Sequence, residues 1–225
     1  KFSNIKYDKD FNLVCDDITK MPGANWFNGI ELNFAENLLL NKSDEVAIHF
    51  YGENKVYRSF SFNELYHQVS KLTQYFKSIN IEKGDRVCAY TPNTPEAVIG
   101  MLASASIGAI WSSCSPDFGV KGVLDRFSQI KPKVIIGSDG YYFKGKYFSC
   151  VDNLKSIVKA IPSIKKVIVY QYDQNTESID IDLSELILFK DIMSNYKPGQ
   201  IEFEKLSFSH PLYIMYSSGT TGKPK

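Results

Sequence analysis

Polar and apolar positions divide the chain into an irregular first forty residues and a long stretch of regular periodicities. Within residues 1–40, Met21-Pro22-Gly23-Ala24-Asn25-Trp26-Phe27 sets turn-formers beside two aromatics. Leu32, Phe34, Leu38 and Leu39 are anchors for a body built later in the chain. Two apolar-rich runs, 46–51 and 55–60, then flank Gly52-Glu53-Asn54, which predicts a β-hairpin. Ser61-Phe62-Asn63-Glu64 has the form of a capping box, in which Ser61 accepts from the N3 amide while Glu64 reaches back. Behind it Leu65, Val69, Leu72, Phe76 and Ile79 recur at helical spacing, so a helix of about four turns is predicted, with His67 off its apolar stripe.

From Gly84 onward, strand and helix patterns alternate. Strands are predicted at 86–90, 109–113, 134–136 and 167–170, and helices at 95–107, 120–130 and 152–161. Pro95 opens its helix where a missing N–H costs nothing, and Lys131-Pro132 closes the next. This alternation predicts an α/β fold, a parallel sheet with helices on both faces. Residues 171–183 read as a polar surface loop, 186–193 as one short helix, and 212–216 as a short buried strand. There is no internal repeat and no low-complexity tract.

The 225 residues are 44% hydrophobic with a formal charge of +1, an ordinary globular balance. Charges of both signs are interspersed, and the lack of a basic patch argues against nucleic acid as a principal partner. The longest apolar stretch, 97–111, is fifteen residues punctuated by Gly100, Ser104, Ser106 and Gly108, too short to span a membrane. No charged segment followed by an apolar one opens the sequence in the manner of a signal peptide. Cys15, Cys88, Cys114 and Cys150 lack metal-ligand spacing, as do His49, His67 and His210, which argues against a zinc site. Cys88 and Cys114 lie in apolar runs, as expected for buried thiols of a reduced, cytoplasmic protein.

The chemistry concentrates in Tyr216-Ser217-Ser218-Gly219-Thr220-Thr221-Gly222-Lys223-Pro224-Lys225. Gly219 and Gly222 can turn backbone N–H groups toward an anion. Ser217, Ser218, Thr220 and Thr221 add hydroxyl donors, and Lys223 adds a mobile cation. This is a polyphosphate-binding composition at the carboxyl end of a predicted strand, the edge where ligands sit in open α/β sheets. It is not a Walker A loop, because only two residues separate Gly219 from Gly222-Lys223 and Pro224 follows.

That spacing resembles the phosphate loop of the adenylate-forming enzymes. Other segments are similar to the acetoacetyl-CoA synthetase branch: residues 21–27, 32–39, 122–127 and 129–133, and above all Trp111-Ser112-Ser113-Cys114-Ser115-Pro116-Asp117-Phe118-Gly119-Val120. The resemblance runs from about residue 20 to the end. It implies a cap segment over 1–40 and the first part of an adenylation domain over 41–225. It further implies ATP-dependent activation of acetoacetate through an acyl-adenylate, then transfer to CoA, with ATP, Mg²⁺ and CoA as co-substrates and small molecules as the partners. Thr220, Thr221 and the loop amides are expected to hold the β- and γ-phosphates, with Lys223 steering.

In acetyl-CoA synthetases a Gly-x-Arg-x-Gly-Arg segment grips CoA phosphates. The corresponding stretch here is Gly140-Tyr141-Tyr142-Phe143-Lys144-Gly145-Lys146, which has no Arg, so bidentate recognition is lost. Lys144, Gly145 and Lys146 are CoA-binding candidates or an ordinary charged turn. Ser112 to Ser115 either admit a ligand or pack a helix–sheet junction, and Trp26 and Phe27 read as packing aromatics. The family's adenine, metal and adenylation residues fall beyond residue 225, so these residues alone are expected to be inactive. An adenylation module for another carboxylate and a non-catalytic nucleotide-binding module are the alternatives.

Overall fold

The computed structural model describes residues 4–53, 55–173, 185–217 and 224. Short elements come first: strands β1 (Leu13–Cys15), β2 (Trp26–Asn28) and β3 (Glu31–Leu32), then helix α1 (Phe34–Leu38). The hairpin β4 (Val46–Gly52) and β5 (Val56–Ser61) runs into helix α2 (Phe62–Ser78). The alternating region supplies β6 (Arg86–Tyr90), α3 (Pro95–Ser106), β7 (Ile110–Cys114), α4 (Gly119–Ile130) and β8 (Val134–Ser138). A hairpin of β9 (Gly140–Phe143) and β10 (Lys146–Ser149) precedes α5 (Val151–Ala160) and β11 (Lys166–Tyr170). Then follow β12 (Leu186–Leu188), α6 (Phe189–Asn195) and β13 (Leu206–Ser207).

The central sheet has the order β12-β11-β8-β6-β7, every pair parallel. Its strands are apolar at successive positions because both faces are covered. Val87, Ala89, Val134, Ile136 and Ile168 point into one core, with α2, α3 and α6. Cys88, Tyr90, Ile135, Val167 and Val169 point into the other, with α4 and α5. This is the predicted α/β architecture.

The capping box at the start of α2 forms as read: the Glu64 N–H donates to Ser61 Oγ at 3.1 Å, and the Ser61 N–H donates to Glu64 Oε2 at 2.7 Å. Three readings need correction. Leu186–Leu188 is a strand paired with β11, and the helix begins only at Phe189. The first forty residues contain β1 to β3 and α1 rather than irregular chain alone. Their anchor is Asn33, which caps α1 and donates through Nδ2 to the carbonyls of Ala105 (3.0 Å) and Glu204 (2.9 Å).

The third correction concerns 212–216, which lies along the open edge of β7 rather than within the core. Tyr213 forms a parallel bridge with Trp111. Trp111 N–H donates to the Leu212 carbonyl at 3.1 Å, and Ile214 N–H to the Trp111 carbonyl at 2.9 Å. Met215 is 82% exposed, so the segment is a partly covered edge rather than a buried strand. Among the described residues no helix is long and apolar enough to cross a membrane.

Candidate functional site

The sheet order places β6 between β7 and β8, and the chains leaving the neighbouring strands β6 and β8 run to helices on opposite faces, α3 and α5; ligands gather outside the carboxyl ends at such a switch point. Thr91, Ser115 and Asp139 follow β6, β7 and β8 at that edge. The Thr91 N–H donates to the Cys114 carbonyl (3.1 Å) and the Asp139 N–H to the Tyr170 carbonyl (3.0 Å), which fixes the strand ends relative to one another. The Tyr170 hydroxyl, hydrogen-bonded to those of Thr91 and Thr94, is fully buried, and its pKa is pushed far up by desolvation.

Two cavities open on this edge. One, of ≈ 500 Å³, lies between β7, segment 212–216 and α4, with Trp111, Arg126, Tyr213 and Tyr216 in its wall. The other, of ≈ 300 Å³, is bounded by Thr91, Asn93, Asp117, Tyr141 and Phe143. Ala97, Ser113 and Cys114 line both, so the two spaces adjoin along the last residues of β7. Ser112, Ser113 and Cys114 are the last residues of β7. Ser112 Oγ donates to the Ile214 carbonyl at 2.9 Å, a packing role, while Ser113 is exposed.

Arg126 supplies the cation of the larger cavity. Its Nη1 donates to the Gly122 carbonyl (2.8 Å), and its guanidinium lies 4.1 Å from the Phe118 ring centroid. Burial raises the Cys114 thiol to about 11, an effect Arg126 partly offsets, so the thiol stays protonated near neutral pH and is no ready nucleophile. Burial likewise lifts the Tyr216 hydroxyl to about 12.

Of the predicted phosphate loop, Ser217 is exposed at the end of the bridged segment, whereas Ser218, Gly219, Thr220, Thr221, Gly222 and Lys223 lie outside the described residues. Both flanks are tied to α4. The Tyr216 hydroxyl donates to the Arg126 carbonyl at 2.8 Å, and Gln129 Nε2 donates to the Pro224 carbonyl at 2.9 Å. Lys144 and Gly145 form the tip of the β9–β10 hairpin, and Lys146 begins β10; all three are exposed. Phe27 packs against Phe11 and Phe208, with centroids at 5.3 and 4.9 Å, while Trp26, 43% exposed, has its ring centroid 6.5 Å from that of Phe27.

Sequence reading did not single out Arg126 as a site residue, since one cation on an amphipathic helix reads as surface. It also gave no role to Glu53, whose partners lie 91 and 92 residues away.

Residues 35–225 match the model of the AMP-binding enzyme family. The chain is 44% identical over 234 aligned residues to an acetoacetyl-CoA synthetase of Macaca fascicularis, covering 100% of this chain and 34% of that protein. It is 43% identical over 209 residues to an acetoacetyl-coenzyme A synthetase of Rhizobium meliloti (strain 1021), covering 93% of this chain and 32% of that one. A solved acetoacetyl-CoA synthetase from Streptomyces lividans superposes with a TM-score of 0.90 at 34% identity, over 99% of this chain and 34% of its own. The chain thus spans about a third of the length of these relatives.

Proposed function

The chain belongs to the AMP-binding enzyme family, and from that premise we propose that the protein carrying it is an AMP-forming acid–CoA ligase that activates acetoacetate. A carboxylate oxygen of acetoacetate attacks the α-phosphorus of ATP. The bond to the bridging oxygen breaks, and pyrophosphate leaves with the electron pair. The CoA thiol, losing its proton, then adds to the acyl carbonyl and expels AMP. ATP enters as its Mg²⁺ complex.

The residues of the loop, Ser217, Ser218, Gly219, Thr220, Thr221, Gly222 and Lys223, meet the charge that builds on the departing pyrophosphate. In this reading Thr220 and Thr221 supply hydroxyl donors, the glycines free backbone amides for the phosphates, and Lys223 steers. Lys144 and Lys146 serve the phosphates of CoA as point charges rather than as the planar fork an arginine presents.

The observation that carries this reading is the pair of adjoining cavities. One is bounded by Tyr216, which leads into the loop, and the other by Phe143, which leads into Lys144. Two steps sharing one acyl-adenylate need their nucleotide and thiol ends joined in this way. The test is product analysis on the full-length protein with ATP, Mg²⁺, acetoacetate and CoA. Equimolar AMP and acetoacetyl-CoA are expected; ADP with inorganic phosphate, or no thioester, would overturn the assignment.

A further inference from the structure

Two hairpin tips far apart in sequence meet beside the carboxyl edge of the sheet. The Glu53 carboxylate, at the tip of β4–β5, accepts from the backbone N–H of Lys144 (2.8 Å, Oε1) and of Gly145 (2.7 Å, Oε2). Lys144 and Gly145 have φ of 51° and 75° and lie between the paired residues Phe143 and Lys146. Positive φ at both central residues is the signature of a two-residue type I′ turn. Gly145 adopts it freely, but a lysine does so only with strain.

Neighbouring N–H groups in left-handed turns form a concavity suited to an anion. Here the protein's own carboxylate fills it, and those two bonds hold Glu53 below the usual carboxylate range. The clamp has a firm base. A Cβ on Gly52 would lie 2.6 Å from the Tyr172 hydroxyl oxygen, so the missing side chain lets the β4–β5 tip press against that ring. Tyr172 is buried, meets Phe50 and Tyr142 edge-on with centroids at 5.6 and 6.0 Å, and donates its N–H to Asp139 Oδ1 at 2.7 Å. The amides of the 144–145 turn are therefore occupied, while Lys144 and Lys146 remain exposed on a fixed backbone.

We propose that Glu53 is a positioning residue for thioester formation: it locks the 144–146 turn so that its two ammonium groups face the phosphates of the thiol co-substrate, and it takes no part in adenylation. The proposal rests on the ligase reading above. It also assigns phosphate recognition at this turn to side-chain charge rather than to backbone amides.

The test uses the full-length protein. Glu53→Ala removes both acceptors, and Glu53→Gln leaves a single carbonyl oxygen. The KM for CoA is expected to rise about tenfold in Glu53→Ala and less in Glu53→Gln. The kcat at saturating CoA and acetoacetate-dependent pyrophosphate exchange should hold at the wild-type level. In a Lys144→Ala/Lys146→Ala background, Glu53→Ala should add nothing further, because its effect passes through those lysines. A wild-type KM for CoA in Glu53→Ala overturns the proposal, as does an equal loss in exchange, which marks general destabilisation. A wild-type KM in the lysine double variant also overturns it, yet leaves the ligase reading standing if exchange persists.

Discussion

The Tyr216 hydroxyl donates to the main-chain carbonyl of Arg126 at 2.8 Å, and the Arg126 guanidinium lies 5.9 Å from the centre of the Tyr216 ring. This pair ties the edge segment to α4 immediately before the glycine-rich loop, so the loop leaves from a fixed point. Tyr216→Phe keeps the ring and removes the partly buried bond, at a cost of about 1 kcal/mol. Urea unfolding should show a lower midpoint with an unchanged slope. An unchanged midpoint would mean the bond contributes nothing to the fold.

Arg58 and Glu96 form a bidentate ion pair, Nη1–Oε1 at 2.5 Å and Nη2–Oε2 at 2.9 Å, with side chains only 10% and 4% exposed. It joins the β4–β5 hairpin to the first turn of α3, and Arg58 Nε is buried without a hydrogen-bond partner among the described residues. Removing one charge strands the other in a low-dielectric site. Glu96→Ala should therefore destabilise by about 3–5 kcal/mol, and Arg58→Met/Glu96→Leu by distinctly less. Chemical denaturation of the three proteins decides this; a double variant as unstable as the single one would refute the desolvation argument.

The capping box of α2 and the strand–helix alternation from residue 86 were legible in the sequence because each signal lies within a few residues. Leu186–Leu188 was not, since a three-residue apolar run before a helix reads as its first turn. Only pairing with β11, across the sheet, makes it a strand. The first forty residues hide their order for the same reason: β3 pairs with β13, and Asn33 bonds to residues 72 and 171 positions away. At the candidate site the proposed phosphate chemistry of 217–223 rests on composition and spacing, which lie within a few residues of sequence. The Glu53 clamp did not, because a carboxylate in a hairpin turn carries no mark of a partner on another hairpin.

The loop hydroxyls should matter for the chemical step more than for binding. Thr220→Ala or Thr221→Ala in the full-length protein removes a hydroxyl that the proposed function assigns to the leaving pyrophosphate, and kcat should fall about 10²–10³-fold. Steady-state kinetics with saturating ATP measures it. Wild-type kcat in both variants would dismiss the phosphate-loop assignment.

Burial raises the Cys114 and Cys150 thiols from an ordinary 9.0 to about 11 and about 12. A raised folded-state pKa means the unfolded chain loses its protons first as pH rises. The stabilisation is complete below pH 9 and declines between pH 9 and 12. Tyr75, Tyr141 and Tyr216, each lifted from 10.0 to about 12, act in the same direction. Unfolding free energy should therefore hold level from pH 8 to 9 and decrease steadily from pH 9 to 11. A flat or rising profile would contradict the burial of these groups.

The most direct test of the central claim is acetoacetate-dependent ATP–pyrophosphate exchange by the full-length protein in the absence of CoA. Exchange isolates the adenylation step, because label returns to ATP only if an acyl-adenylate forms reversibly at the phosphate loop. Exchange is expected to require acetoacetate, to collapse in the Thr220→Ala and Thr221→Ala proteins, and to persist in Glu53→Ala. Contradiction would come from a folded protein that shows no acetoacetate-dependent exchange, or that exchanges equally well with both threonine hydroxyls removed.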